Sequence, residues 1–267
     1  MRLALAQLDA QLGDVEANET RVRKALADAH AGGADLVVFP ELYLKDRART
    51  ADEIAALAAA GPAAVVGFHE HGYNSAAYVD AGAVVHVHRK LYLVEYPPFD
   101  EDERFTEGDE LRAFDTSFGR VATLICNDVW QPHVPVLAVY DGAQVLLVPS
   151  ASSTAVPEAE AYWRELTRFY ARMLQCYVVF VNRVGEEPGF TFWGGSHVVD
   201  PLGDVLAEAP RWAETLLFAD LDVSRVEERR RELPLLGRPR LEFLRSELER
   251  LGREGTAKPI EIGQARW

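Results

Sequence analysis

Residues 119–132 read Gly-Arg-Val-Ala-Thr-Leu-Ile-Cys-Asn-Asp-Val-Trp-Gln-Pro. Val121 to Ile125 are a short apolar, β-prone run, the pattern of a buried strand. The run ends at Cys126, and Asn127 and Asp128 follow as turn formers. Trp130, Gln131 and Pro132 then open an expected helix, since proline suits a first turn. Strand, turn and helix in that order are the repeating unit of an α/β protein. A cysteine at such a strand end can pack as a small hydrophobe. It is also well placed to be a nucleophile, because the N–H groups after it face any anion that forms there.

The unit recurs along the chain. Residues 3–8 form an apolar strand, and residues 15–30 a helix with Val22, Ala25, Leu26 and Ala29 on one side. Gly32-Gly33 stops that helix. The strand at 35–39 runs straight into Pro40-Glu41-Leu42, so a carboxylate sits directly at a strand end. A helix is expected at 52–60, a strand at 63–68, and a hairpin at 73–88 turning on Asp80-Ala81-Gly82. The hairpin ends in Arg89-Lys90, and an acidic, irregular segment continues to about Glu110, long enough to suggest a functional loop. A strand is expected at 111–116.

Beyond the cysteine, helices are expected at 134–140 and 157–175 and strands at 144–148, 177–181 and 216–221. A loop carries Gly185, Pro188, Gly189, Phe192 and Trp193, and a further hairpin turns on residues 201–204. Residues 226–231 and 239–251 read as solvated helices, because glutamates alternate with the arginines. No linker and no repeat divides the sequence. The expectation is one α/β domain over 1–267 with a mixed sheet.

The formal net charge of −14 repels phosphate backbones and anionic lipid, so neither nucleic acid nor membrane is an expected partner. A 48% hydrophobic share supplies a large core, yet no apolar run reaches membrane-span length. The two cysteines, Cys126 and Cys176, make no disulfide framework. Reduced thiols and the early acid Asp9, which interrupts any signal-peptide core, point to a cytoplasmic location.

Three strand-end groups stand out: Glu41, Lys90 and Cys126. A cysteine needs a base to become a thiolate, and a nearby cation favours that form. The combination of Phe39-Pro40-Glu41-Leu42, His88-Arg89-Lys90 and Ile125-Cys126-Asn127-Asp128 resembles the nitrilase superfamily, the carbon–nitrogen hydrolases with a Glu-Lys-Cys triad. The resemblance extends from residues 6–18 to residues 229–240 and takes in Asn182 to Gly185 and Phe192 to Leu206. It implies an αββα sandwich with the triad at strand ends between two sheets. It also implies a second glutamate in the loop after the lysine, best matched by Glu101. The oxyanion would be held by Lys90 and the backbone N–H of Asn127.

The runs 90–105 and 126–132 look like the glutaminase domain of glutamine-dependent NAD synthetases, although Asn127 stands where that branch has an acid. The chain is too short for a synthetase domain, so a free-standing amidase acting on a small carboxamide is the expectation. N-carbamoyl and nitrile hydrolysis remain open, because one thiolate attacks any of these carbons. Trp130, Ser152, Arg183 and Trp193 are candidates for the substrate pocket. The acyl group would be selected by residues 43–50, 91–110, 127–133 and 184–195. The resemblance further implies a homodimer or higher homo-oligomer, with the tail at about 252–267 along a partner.

Other chemistries fit less well. His69 and His71, and His86 and His88, each share a strand face, but zinc needs a third ligand and none is apparent. Neither a metal nor another cofactor is expected. Gly-Gly-Ser-His-Val is not a nucleophile elbow, and no G-x-G-x-x-G follows a strand. A catalytically silent binding homologue is the rival from another class. It would be expected to have lost one of the reactive side chains, and all are present as competent types.

Overall fold

The computed structural model describes residues 1–255. β1 (Arg2–Gln7), α1 (Val15–Ala31), β2 (Leu36–Val38), α2 (Ala51–Ala58) and β3 (Ala63–Glu70) alternate, and β4 (Tyr73–Asp80) and β5 (Ala83–Arg89) form the hairpin that Asp80-Ala81-Gly82 predicts. A short helix, α3 (Glu101–Arg104), lies within the segment expected to be irregular. β6 (Phe114–Thr116) and β7 (Gly119–Thr123) precede the cysteine. α4 (His133–Tyr140), β8 (Val145–Ser150), α5 (Ala159–Leu174) and β9 (Tyr177–Asn182) follow it. β10 (Val184–Glu187), β11 (Phe190–Trp193), β12 (His197–Val199), β13 (Val205–Glu208), β14 (Thr215–Asp220), α6 (Ser224–Glu232) and α7 (Leu241–Glu254) complete the order.

Two six-stranded sheets result, ordered β14-β1-β2-β3-β4-β5 and β13-β12-β9-β8-β7-β6. Each has a parallel centre: β1, β2 and β3 in one, β7, β8 and β9 in the other. Antiparallel strands flank both centres. Successive side chains of a strand face opposite ways, and here both faces are covered. Leu3, Leu5, Leu36, Val38 and Val65 of the first sheet meet Val121, Val145, Leu147 and Val179 of the second. Ala4, Ala6, Val37 and Val66 turn outward onto Val22, Leu26 and Ala29 of α1 and Ile54 of α2. Ala122, Leu146, Val148 and Val178 turn outward onto Val134 and Ala138 of α4 and Trp163 and Leu174 of α5. Helix, sheet, sheet, helix is therefore the layer order, the αββα sandwich.

Two expectations are corrected. Residues 184–193, expected as a loop, are the antiparallel hairpin β10–β11, in which Val184 pairs with Trp193 and Glu187 with Phe190. Pro188 and Gly189 read as loop because they are the turn itself, and four-residue strands leave little periodicity to detect. The helix expected to open at Trp130 is instead a tight 3₁₀ turn over Cys126–Trp130, and α4 starts only at His133. The tail expectation falls mostly outside the described residues, since Gly252 to Glu254 belong to α7. No described helix is long and apolar enough to cross a membrane.

Candidate active site

The C-terminal ends of the parallel strands converge on one side of the sandwich, where open α/β sheets place their ligands. β2 delivers Glu41, β7 delivers Cys126, β8 delivers Ala151 and Ser152, and β9 ends at Asn182. Lys90 follows β5. Glu41, Lys90, Glu101 and Cys126 all line one cavity of about 590 Å³.

Glu41 is held in a tight bend. Leu42 adopts a left-handed φ of 47°, and Leu44 N donates to Gly67 O at 3.0 Å. The bend lies directly against β3. A Cβ on Gly67 would stand 2.3 Å from Pro40 O and 2.6 Å from Leu42 N. Gly67→Ala is expected to push the Glu41 backbone out of place. The strain should cost about 1–3 kcal/mol of stability, with a fall in kcat. Paired denaturation and steady-state measurements check this, and wild-type values of both would refute it.

The carboxylates and the lysine form one buried cluster. Lys90 Nζ donates to Glu41 Oε1 at 2.8 Å and to both oxygens of Glu101, at 2.8 and 2.6 Å. Asn74 Nδ2 donates to Glu41 Oε1 at 2.8 Å and to Glu101 Oε1 at 3.3 Å. Glu41 Oε2 accepts from Ala151 N at 2.9 Å, and Glu101 Oε2 accepts from Val94 N at 2.8 Å. Burial alone would lower the Lys90 ammonium, but the Glu41 and Glu101 carboxylates raise it, so the side chain stays charged. Burial raises the Glu101 carboxyl, with Lys90 opposing and Glu41 adding to the rise.

Cys126 sits at a left-handed φ of 43°, in the turn where the strand gives way to the 3₁₀ segment. Non-glycine residues hold that conformation only where their surroundings enforce it. Burial raises its thiol well above the ordinary value, Glu41 and Glu101 add to the rise, and Lys90 and the Ala151 N–H oppose it. Burial and both carboxylates therefore favour the neutral thiol, and Glu41 is the carboxylate with the strongest influence on it.

Asp128 fixes this turn to the lysine segment. Its carboxylate is fully buried and accepts from Ile125 N and Leu91 N at 2.9 Å each and from Tyr92 N at 3.0 Å. His88 Nε2 lies 2.9 Å from its second oxygen. The Asn127 side chain spans the same gap, donating to the carbonyls of Tyr92 and Leu93 at 3.2 and 3.3 Å. Asp128→Ala would strip the partner from one buried and two part-buried N–H groups and from a buried imidazole. A loss of about 3–5 kcal/mol is expected from such an uncompensated site. Urea titration reads it directly, and an unshifted midpoint would refute the assignment.

Sequence reasoning missed Asn74, His88 and Asp128 as parts of the site. Asp128 stands in the turn and in the cysteine motif, and neither marks it as the anchor between two segments. Asn74 carried a usable signal, since asparagine is disfavoured inside strands and here lies buried in β4. The two histidines of the second pair, His86 and His88, have separate partners. His88 pairs with Asp128, while His86 stacks on Phe114 at 4.6 Å and is pushed by burial down to about 4. Among the described residues, no group of three or more potential ligands is placed to hold a metal ion.

Of the four pocket candidates, Trp130, Ser152 and Arg183 line the cavity. Ser152 is held through its backbone, donating to Asn182 Oδ1 at 2.8 Å, and its hydroxyl accepts from Trp163 Nε1 at 3.0 Å. Arg183 is buried, bound to Asp9 at 3.1 Å and to Glu187, and stacked 4.2 Å over Phe192. Trp193 is not in the cavity wall. It packs into the second sheet's outer core and stacks on Phe180 at 5.7 Å, because the alternation of β11 sends its neighbour Phe192 to the cavity instead.

An αββα sandwich with a Glu-Lys-Cys constellation at the strand ends defines a class of hydrolase fold. The carbon-nitrogen hydrolase family model matches residues 2–231, and the chain belongs to that family. It is 31% identical to a glutamine-dependent NAD(+) synthetase of Thermotoga maritima, over 86% of this chain but 45% of the synthetase. The chain thus spans less than half the length of such synthetases. Omega-amidase NIT2 of Bos taurus is 29% identical, over 93% of this chain and 98% of that protein. Among solved structures, the carbon-nitrogen hydrolase from Helicobacter pylori G27 superposes with a TM-score of 0.81. It is 25% identical and covers 93% of this chain and 98% of its own.

Proposed function

We propose that this chain is a cysteine-dependent amidase that releases ammonia from a small carboxamide through a thioester. The observation that carries the reading is the buried Glu41–Lys90–Glu101 cluster on the same cavity wall as Cys126. Glu41 takes the thiol proton as Cys126 Sγ bonds to the amide carbon. The carbonyl electrons move to oxygen, where Lys90 and the Asn127 N–H hold the oxyanion. One such donor is worth roughly 3–4 kcal/mol in a dry site. The oxyanion collapses, the C–N bond breaks, and Glu41 returns its proton to the leaving nitrogen. Water then attacks the thioester, giving its proton to Glu41. The C–S bond breaks, the acid leaves, and Cys126 regains its proton. Glu101 orients Lys90 through both carboxylate oxygens.

Ammonia release from a panel of ω-amides, glutamine, aliphatic amides, N-carbamoyl compounds and nitriles tests the reading. Release that depends on Cys126 supports it, and a nitrile-only or carbamoyl-only profile would move the chain to another branch of the same chemistry. Self-association belongs to the same proposal. Tyr162, Phe169 and Met173 on α5 and Leu241, Leu244 and Leu248 on α7 are exposed apolar side chains at helical spacing. A solution mass of one chain would dismiss it.

A further inference from the structure

The cavity is much larger than an amide group, and its wall beyond the catalytic cluster has a consistent character. Tyr96 and Phe99 from the loop after Lys90 meet Phe190 and Phe192 of the β10–β11 hairpin, with Phe99 and Phe190 rings 5.4 Å apart. Trp130 and Trp163, edge to face at 5.7 Å, form the opposite side with Val156. Such a wall favours an apolar body over a hydrated one.

The charges on the same wall are arranged against an anion. Beyond Lys90, the cations among the described lining residues are Lys45, Arg104 and Arg183, and each already has a carboxylate. Lys45 and Arg183 converge on Glu187. Arg183 is also bound to Asp9, and Arg104 lies 3.0 Å from Asp100. Asp46, by contrast, lines the cavity and forms no ion pair among the described residues, although its charge acts on the neighbouring Lys45. Among the described residues its oxygens accept from Gly13 N at 2.8 Å and Asn18 Nδ2 at 2.7 Å. An incoming carboxylate would have to compete with Glu187 or Asp100 for a cation already paired or remain unpaired beside Asp46. Asn127 adds no charge of either sign, and its amide is committed to two carbonyls.

We infer that the group attached to the scissile carboxamide is an apolar body bearing no carboxylate. The inference rests on the amidase reading and narrows its substrate class. Glu187 is then a specificity residue: with Asp9 it neutralises Lys45 and Arg183 and so withholds them from acidic substrates.

The test uses linear primary amides of one chain length, ended by methyl, ammonium or carboxylate. For the wild type, kcat/KM for the methyl-ended amide should exceed that for the carboxylate-ended one by about tenfold or more, the equivalent of about 1.4 kcal/mol. The ammonium-ended amide should fall between the two, since it meets the apolar wall but not the repulsion from the lining carboxylates. Glu187→Gln, which frees Lys45 and leaves Arg183 paired with Asp9 alone, should narrow the methyl-to-carboxylate ratio by raising the rate on the acidic substrate. Equal or better use of the carboxylate-ended amide by the wild type would overturn the inference, as would an unchanged ratio in a folded Glu187→Gln protein. Calorimetric titration of the Cys126→Ser protein with the same series reads the affinity order without turnover. If no amide releases ammonia, the amidase reading fails, and the binding order still decides the inference about charge.

Discussion

Cys126→Ala is expected to lower amide turnover by at least about 10⁴-fold, the scale on which loss of a catalytic nucleophile is felt, while leaving the folded structure in place. Cys126 lines the cavity, and its side chain also touches the inner core and the outer core of the second sheet. Truncation removes one sulfur at the cavity edge of those cores, and the variant should melt close to the wild type. The other cysteine provides an internal control. Cys176 is fully buried beneath α5, and burial pushes its thiol up to about 12. Iodoacetamide should label one thiol of the native protein, and Cys126→Ala should remove that label. Because burial and Glu41 hold the Cys126 thiol in its protonated form, labelling should be slow near neutrality and accelerate as pH rises. During turnover, acyl-enzyme trapped by acid quench should add the acyl mass to Cys126 in the wild type only. Retained ammonia release in the alanine variant would remove the thioester scheme altogether.

The layers of the fold were legible because both faces of the central strands are buried. Continuous apolar runs such as 36–39 and 121–125 cannot belong to a half-solvated sheet, and α1 keeps its buried side at helical spacing. Glu41, Lys90 and Cys126 were legible for a related reason, since each is a reactive side chain where an apolar run stops. Glu101 was found only through resemblance. It stands among acids in residues 100–103, and nothing local distinguishes the one whose carboxylate turns inward to Lys90. Asn74 and Asp128 act through pairings 27 to 40 residues away in sequence, such as Asn74 with Glu101 and His88 with Asp128. No local pattern encodes such partners. Trp193 was misplaced for a simpler reason: once residues 190–193 are a strand, neighbouring aromatics must face opposite ways, and only Phe192 reaches the cavity.

Lys90→Met should be the most damaging change outside the nucleophile, and its damage should depend on pH in a definite direction. The lysine is the only cation bonded to Glu41 and Glu101 among the described residues, and both carboxylates are buried. Removing it leaves two acids sharing Asn74 in a low-dielectric site, where breaking a buried pair costs about 3–5 kcal/mol. The folded protein can relieve that repulsion by binding a proton on the pair. Burial already raises the Glu101 carboxyl with Lys90 opposing, so losing Lys90 must raise it further. A carboxyl raised in the folded state contributes stability below its unfolded value and loses it as pH rises through the folded one. The gap in melting temperature between wild type and Lys90→Met should therefore be small in mild acid and widen towards neutral pH. Activity should not recover in acid, because a neutral pair supplies neither the base for Cys126 nor the charge for the oxyanion, and a loss of about 10³-fold or more is expected. A stability gap that stays constant with pH would mean that Lys90 does not neutralise the two glutamates. Near-normal turnover in the methionine variant would mean that the oxyanion is held elsewhere.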